Sequence, residues 1–243
     1  EKSMYQAWAD YVLSEIKDKL LEKLGSKAKY DELVKISPSS RVKDVNSLVA
    51  KAFIRKKGKY ADPYNEITDK AGIRFVVLLT NQLELLSDII EESDSWSFSK
   101  DKEFDEWRKK DVNKFDYQSV HYIVRAKEDF LRDDIPIKKE TPCEVQFRTL
   151  LQHAYAELAH DTIYKGEGVK APEIVRIFAR RMALMETTDD LLCKAKEALD
   201  SATTSLTEWQ TAVTNASKEK FNDIIEDVKS TDFLFGKLEP LLM

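Results

Sequence analysis

The stretch CEVQFRTLLQHAYAELAHDTIYK, residues 143–165, changes its period in the middle. Its first six residues alternate. Cys143, Val145 and Phe147 fall on one face of a strand, and Glu144, Gln146 and Arg148 on the other. From Leu151 the apolar residues recur at helical spacing. A strand that runs straight into a helix, with an acid, an amide and a guanidinium on one face, raises a choice. Either the polar face is a solvated edge, or it is the floor of a site.

Working outward, the same alternation returns in YQSVHYIVR (117–125), where Tyr117, Ser119 and His121 share a face. GIRFVVLLT (72–80) is a near-continuous β-branched and apolar run, which predicts a central strand buried on both faces. LELLSDIIEES behind it reads as a short amphipathic helix. At the N-terminus Trp8, Tyr11, Val12, Ile16, Leu20 and Leu24 recur at threes and fours, and Gly25 marks a helix stop. In SPSSRVKDVNSLVAKAFIRKK several N-cap candidates precede Val45, Leu48, Val49, Ala52 and Phe53 at helical spacing. After residue 165 there is no strand signal. EIVRIFARRMALMETTDDLLCKAKEALDSA predicts a long helix, and two more helical stretches follow. Lys100 to Asp116 has no clear period and reads as a mobile loop. The expected organisation is therefore an N-terminal helical segment (1–36), an α+β core (37–165) and a C-terminal helical region (166–243).

The 243 residues carry a formal charge of −5, which disfavours broad non-specific binding to nucleic acid. There is no apolar run of membrane-spanning length, and the start of the chain reads as an amphipathic helix rather than a signal peptide. Two cysteines make no disulfide framework, which points to a cytoplasmic setting.

Two further places bear on chemistry. Asp69 stands just before the apolar strand and Arg74 stands within it. An arginine in an apolar run needs a partner or a ligand, because an unpaired buried charge is very costly. Two acids at strand starts and two strand arginines suit Mg2+ holding a polyphosphate, with arginine on the remaining phosphate oxygens. Arg41, Lys43, Lys51, Arg55, Lys56, Lys57 and Lys59 face a single acid, Asp44. That run is either a solvated basic face or a triphosphate site. No glycine-rich phosphate loop is present, so side chains and metal would have to hold any nucleotide.

Four blocks in order resemble the synthetase domain of the RelA/SpoT alarmone family. They are SRVKDVNSLVAK, with Arg41, Lys43, Ser47 and Lys51; ITDKAGIR, with Asp69 and Arg74; YQSVHYIV; and EVQFRT running into HAYAELAHDTIYK. The resemblance implies a nucleotidyltransferase-like mixed β-sheet flanked by helices, with the C-terminal helices as an appendage. It implies transfer of the β,γ-pyrophosphate of ATP to the 3′-hydroxyl of GDP or GTP, making (p)ppGpp. Carried over, Arg41 and Arg74 sandwich the adenine, and Lys43, Ser47 and Lys51 serve the ATP phosphates. Asp69 and Glu144 hold Mg2+, with Glu144 also the base. Tyr117 stacks on the acceptor's base, with His121, Gln146 and Arg148 near its phosphates or ribose.

The chain departs from the family's pattern next to Tyr117. Asp116 stands where glycine is usual, and Lys114 is out of register. Those positions border the acceptor pocket. They keep open the tRNA 3′ CCA end as acceptor, as in toxic members, and a nucleotide-binding sensor without catalysis. His153, Glu157 and His160 share a helix face, read as polar packing near the site rather than as metal ligands. The C-terminal helices, with Trp209 and FLFGKLEPLLM, are left as a surface for self-association or an antitoxin.

Overall fold

The computed structural model describes residues 1–55, 58–102, 119–163 and 172–220. Tyr117 and the segment 103–118 lie outside the described residues, as do Lys56, Lys57 and 221–243. Two compact units divide the chain, Glu1–Leu191 and Leu192–Met243.

The first unit is α+β. In chain order it holds α1 (Lys2–Leu24), α2 (Lys27–Leu33), β1 (Val34–Ile36), β2 (Ser40–Val42) and α3 (Val45–Val49), which widens into a π-helical turn over Ala50–Arg55. Next come α4 (Pro63–Glu66), β3 (Ala71–Val77), α5 (Gln82–Glu91), β4 (Trp96–Lys102), β5 (Val120–Ala126) and the short hairpin of β6 (Phe130–Arg132) and β7 (Ile135–Ile137). Then follow β8 (Pro142–Thr149), α6 (Leu150–Ile163) and α7 (Pro172–Lys220), the last of which passes into the second unit.

The main sheet is mixed, in the order β1-β3-β8-β5-β4, with β2 also paired to β3. β3 and β8 run parallel and every other pair is antiparallel. The alternation read in the sequence sets the two faces. Ile73, Phe75 and Val77 of β3, Cys143, Val145 and Phe147 of β8, and Tyr122 and Val124 of β5 join one core with Trp8, Val12, Ile16 and Leu20 of α1 and Leu83, Leu86 and Ile90 of α5. Trp8 is wholly buried and stacks on Tyr11 at 5.6 Å between ring centres. Truncating a residue so placed typically costs about 3–5 kcal/mol. Gly25 ends α1 at φ 70°, its N–H bonding the carbonyls of Leu21 and Glu22. That left-handed conformation is the one glycine adopts without penalty.

The opposite face carries Gly72, Arg74 and Val76 of β3, Glu144, Gln146 and Arg148 of β8, and His121 and Ile123 of β5. β3 is therefore buried fully on one face only, since Gly72 and Arg74 remain partly accessible. α6 borders this second face. Its start is fixed by a reciprocal cap: the Gln152 N–H donates to Thr149 Oγ1 at 3.1 Å, and the Thr149 N–H donates to Gln152 Oε1 at 2.9 Å.

Three local readings are corrected. The apolar positions after the Asp44 cap do not make a core stripe, because Val45, Val49 and Phe53 are exposed and only Ala52 is buried. The π-helical turn breaks the 3.6-residue period that would align them. β4 is a strand where no element was expected, and it takes in residues 100–102 of the expected loop. Its two apolar residues, Trp96 and Phe98, share a face, but only Trp96 is buried, and the serines around them give no apolar period. Of the helices expected after residue 165, those within 172–220 are a single helix, because no glycine or proline interrupts the span that follows Pro172, and the remainder of the expected helical region falls outside the described residues. FLFGKLEPLLM lies outside the described residues.

The second unit, as far as it is described, is the end of α7. Thr203, Thr207 and Thr211 donate to the carbonyls four residues before them. Among the described residues no helix is long and apolar enough to cross a membrane.

Candidate functional site

Strand register gathers the polar face into rows. β2 places Arg41 opposite Gly72, and β8 places Glu144 on Gly72's other side. One step along, Gln146 lies between Arg74 and His121. Gly72 leaves a gap between Arg41 and Glu144 that any side chain would enter. Around that gap is a pocket of about 210 Å³, lined among others by Ser37, Ser39, Arg41, Arg74, Glu144, Gln146 and His153.

The side chains on β5 and β8 form a continuous line. The Ser119 hydroxyl is 2.6 Å from His121 Nε2, and His121 Nδ1 is 3.1 Å from Glu144 Oε1. Gln146 Nε2 donates to Glu144 Oε2 at 2.8 Å, and Arg148 Nη2 donates to Gln146 Oε1 at 2.9 Å. Burial pushes the Glu144 carboxyl up. The hydrogen bond and charge of His121, with help from Gln146, outweigh it and hold the group below the usual carboxylate range. Asp69 acts on Glu144 in the opposite sense, so the two carboxylates feel each other's charge.

Asp69 follows a similar balance. Burial raises its pKa, and the hydrogen bonds of Lys43 and Lys51 lower it further than burial lifts it. Lys43 makes a short contact with Oδ2, and Lys51 reaches the same atom at 2.7 Å. The other oxygen, Oδ1, is buried and has no hydrogen-bond partner. Two ammonium groups on one oxygen, with its twin left empty, describe an acid with a lone pair free for a cation.

Positive charge is concentrated beside these acids. Arg74 Nη1 pairs with Glu157 Oε1 of α6 at 3.2 Å, while Arg74 Nε and Arg148 Nε are buried without partners. Burial, with the charge of Arg74 adding to it, brings the Arg148 guanidinium down to about 10, still fully charged at neutral pH. Burial and the Arg74 charge lower His153 as well, so its ring is neutral there, with Nδ1 unpartnered. Clustered guanidiniums with unused donors are a built anion site.

Of the residues singled out in the sequence, Arg41, Arg74, Glu144 and Gln146 line one pocket. His121 and Arg148 join it through hydrogen bonds, and Lys43 and Lys51 meet on Asp69. Lys43 and Lys51 do not share a helix face, since Lys43 precedes the Asp44 cap. Ser47 is exposed, and its N–H is bound to the Asp44 carboxylate, so it is not drawn into the cluster. Tyr117 lies outside the described residues. Ser37, Ser39, His153 and Glu157 were not assigned to a site. The two serines sit in a stretch that reads as capping residues, and the helical pair gives only its i, i+4 spacing as a signal.

A family model described as "Region found in RelA / SpoT proteins" matches residues 40–169. No curated protein matches the chain in sequence. Among solved structures, small alarmone synthetase 1 from Bacillus subtilis is similar, with TM-score 0.61 and 18% identity over 82% of this chain and 95% of that one. The same enzyme bound to its product pppGpp gives TM-score 0.61 and 19% identity over 81% and 94%. A GTP pyrophosphokinase family protein from Streptococcus pneumoniae gives TM-score 0.59 and 19% identity over 80% and 92%.

Proposed function

The chain belongs to the RelA/SpoT family, and we propose, with that as premise, that it transfers the β,γ-pyrophosphate of ATP to the 3′-hydroxyl of GDP or GTP. The observation that carries the reading is the pocket itself. Two arginines, Arg41 and Arg74, and a carboxylate, Glu144, share one opening on the polar sheet face. Asp69, neutralised by two lysines, acts on that carboxylate from beside it. Small alarmone synthetase 1 from Bacillus subtilis, which has a similar fold, binds its product pppGpp and AMPCPP, an ATP analogue, and this supports a site for a guanine nucleotide and for ATP.

In this reading Arg41 and Arg74 hold the adenine end of ATP, and Lys43 and Lys51 serve its phosphates. Ser47 has the weakest support, since it is exposed. Asp69 and Glu144 fit Mg2+: they are hard oxygen donors, and Asp69 Oδ1 is buried with no partner. Magnesium needs no more than one or two protein carboxylates when phosphate oxygens complete its shell. When bound there it would neutralise charge on the transferred group. Glu144, kept ionised by His121 and Gln146, takes the proton of the 3′-hydroxyl. Arg148 adds positive charge near the acceptor, and Tyr117 stacks on its base. The work is positioning and charge neutralisation, with no covalent nucleophile required. The chemistry falls within 37–165.

The test is incubation with γ-labelled ATP and, separately, GDP, GTP, ATP and bulk tRNA. Label is expected on the guanine nucleotides, with AMP released in equal amount. Label on tRNA alone would replace this reading with the tRNA-modifying one.

A further inference from the structure

Ser119 is buried, at 8% exposure, and belongs to no step above. Its hydroxyl lies 2.6 Å from His121 Nε2, and the other ring nitrogen faces Glu144 at 3.1 Å. Hydroxyl, imidazole, carboxylate is also the order of a nucleophile triad. Here the end that lines the pocket is the carboxylate: Glu144 borders it and Ser119 does not. The line therefore works towards Glu144.

We propose that Ser119 is a positioning residue whose hydroxyl holds the His121 ring from behind and so aims the Glu144 carboxylate. The argument is one of anchor points. An ionised carboxylate only accepts, so His121 Nδ1 donates to Glu144. One such bond lets the ring swing, and the Ser119 hydroxyl at Nε2 gives it a second, fixed point on its opposite side. At the far end Arg148 performs the matching task. It donates to Gln146 Oε1, which turns the amide nitrogen towards Glu144 Oε2. Each oxygen of Glu144 thus receives one fixed donor, and its remaining lone pairs are left for whatever enters the pocket. This inference rests on the role given to Glu144 above.

The test has two readouts. In ligand-free protein carrying ¹³C-labelled histidine, ring relaxation should show the His121 imidazole ordered, its signals assigned by their loss in His121→Asn. Ser119→Ala should make that ring more mobile, and Ser119→Thr, which keeps the hydroxyl, should restore the wild-type pattern. In transfer assays Ser119→Ala should lower kcat about 10- to 100-fold, as losses of supporting hydrogen bonds do, with the KM for ATP within a few-fold. Ser119→Thr should recover most of it. An equally ordered ring in Ser119→Ala, or a mobile ring with unchanged kcat, overturns the proposal. If the wild-type chain transfers nothing to guanine nucleotides, the functional reading fails. The relaxation comparison, made without substrate, still decides whether Ser119 holds the ring.

Discussion

Arg74 Nη1 on β3 lies 3.2 Å from Glu157 Oε1 on α6, a pair separated by 83 residues in sequence. An arginine set in an apolar run was expected to need a partner, and this is the partner it has. Glu157 is largely exposed, so the pair contributes little to stability, at most about 1 kcal/mol. Its consequence is for ligand binding, because an ATP that uses Arg74 must compete with Glu157. Glu157→Gln should therefore leave the melting temperature nearly unchanged and tighten binding of a non-hydrolysable ATP analogue by a few-fold, read by calorimetry. Weaker binding in that variant would mean that Glu157 itself touches the nucleotide.

Asp69 and Glu144 are expected to fail in the same way for different local reasons. Asp69→Asn removes the charge that Lys43 and Lys51 share and leaves two ammonium groups facing an amide. Glu144→Gln removes the acceptor of His121 and Gln146. Each should abolish pyrophosphate transfer from labelled ATP while circular dichroism still reports a folded protein. Wild-type turnover in either would remove that residue from the reaction centre.

Tyr117 carries the acceptor's base in the proposed reading. Tyr117→Ala should cost the stacking free energy of about 1–3 kcal/mol, and so raise the KM for GDP or GTP far more than that for ATP. Steady-state assays with each substrate varied in turn check this. Equal loss on both sides would count against stacking.

The sheet was legible where the strands are long. CEVQFR and GIRFVV, which alternate or run apolar, lie in β8 and β3, and the VHYIV part of the YQSVHYIV block lies in β5. The short strands β1, β2, β6 and β7 were not, since three residues cannot display a period. Which residues of a strand share a face was also readable, hence the grouping of Glu144 with Gln146 and Arg148. Which strands lie side by side was not. The rows Arg41–Gly72–Glu144 and Arg74–Gln146–His121 exist because β3 pairs with β8 in parallel and β5 pairs with β8 in the opposite sense. That is long-range information no local pattern holds. Likewise the basic run that holds Lys43 and Lys51 was readable, whereas Asp69, which draws the two together, lies in another block of the sequence.

The last prediction concerns a buried acid with no part in the proposed reaction. Asp189 of α7 is fully buried, accepts from Thr149 Oγ1 at 2.7 Å and has its other oxygen unpartnered. Burial, with Asp190 adjacent, lifts its carboxyl from 3.8 to about 7. The sign follows from proton linkage. Between pH 4 and 7 the folded chain binds more protons at this group than the unfolded chain does, so stability falls as pH rises through that window and levels off above it. A tenfold change in proton affinity is worth about 1.4 kcal/mol, which sets a ceiling of roughly 4 kcal/mol on the effect. Asp189→Asn keeps an oxygen for Thr149 and removes the charge. Relative to that variant, the wild-type chain should lose melting temperature between pH 5 and pH 8, so that the difference between the two changes steadily across the range. Scanning calorimetry at each pH decides it. A difference that stays constant with pH would mean that Asp189 is ionised in the folded chain throughout.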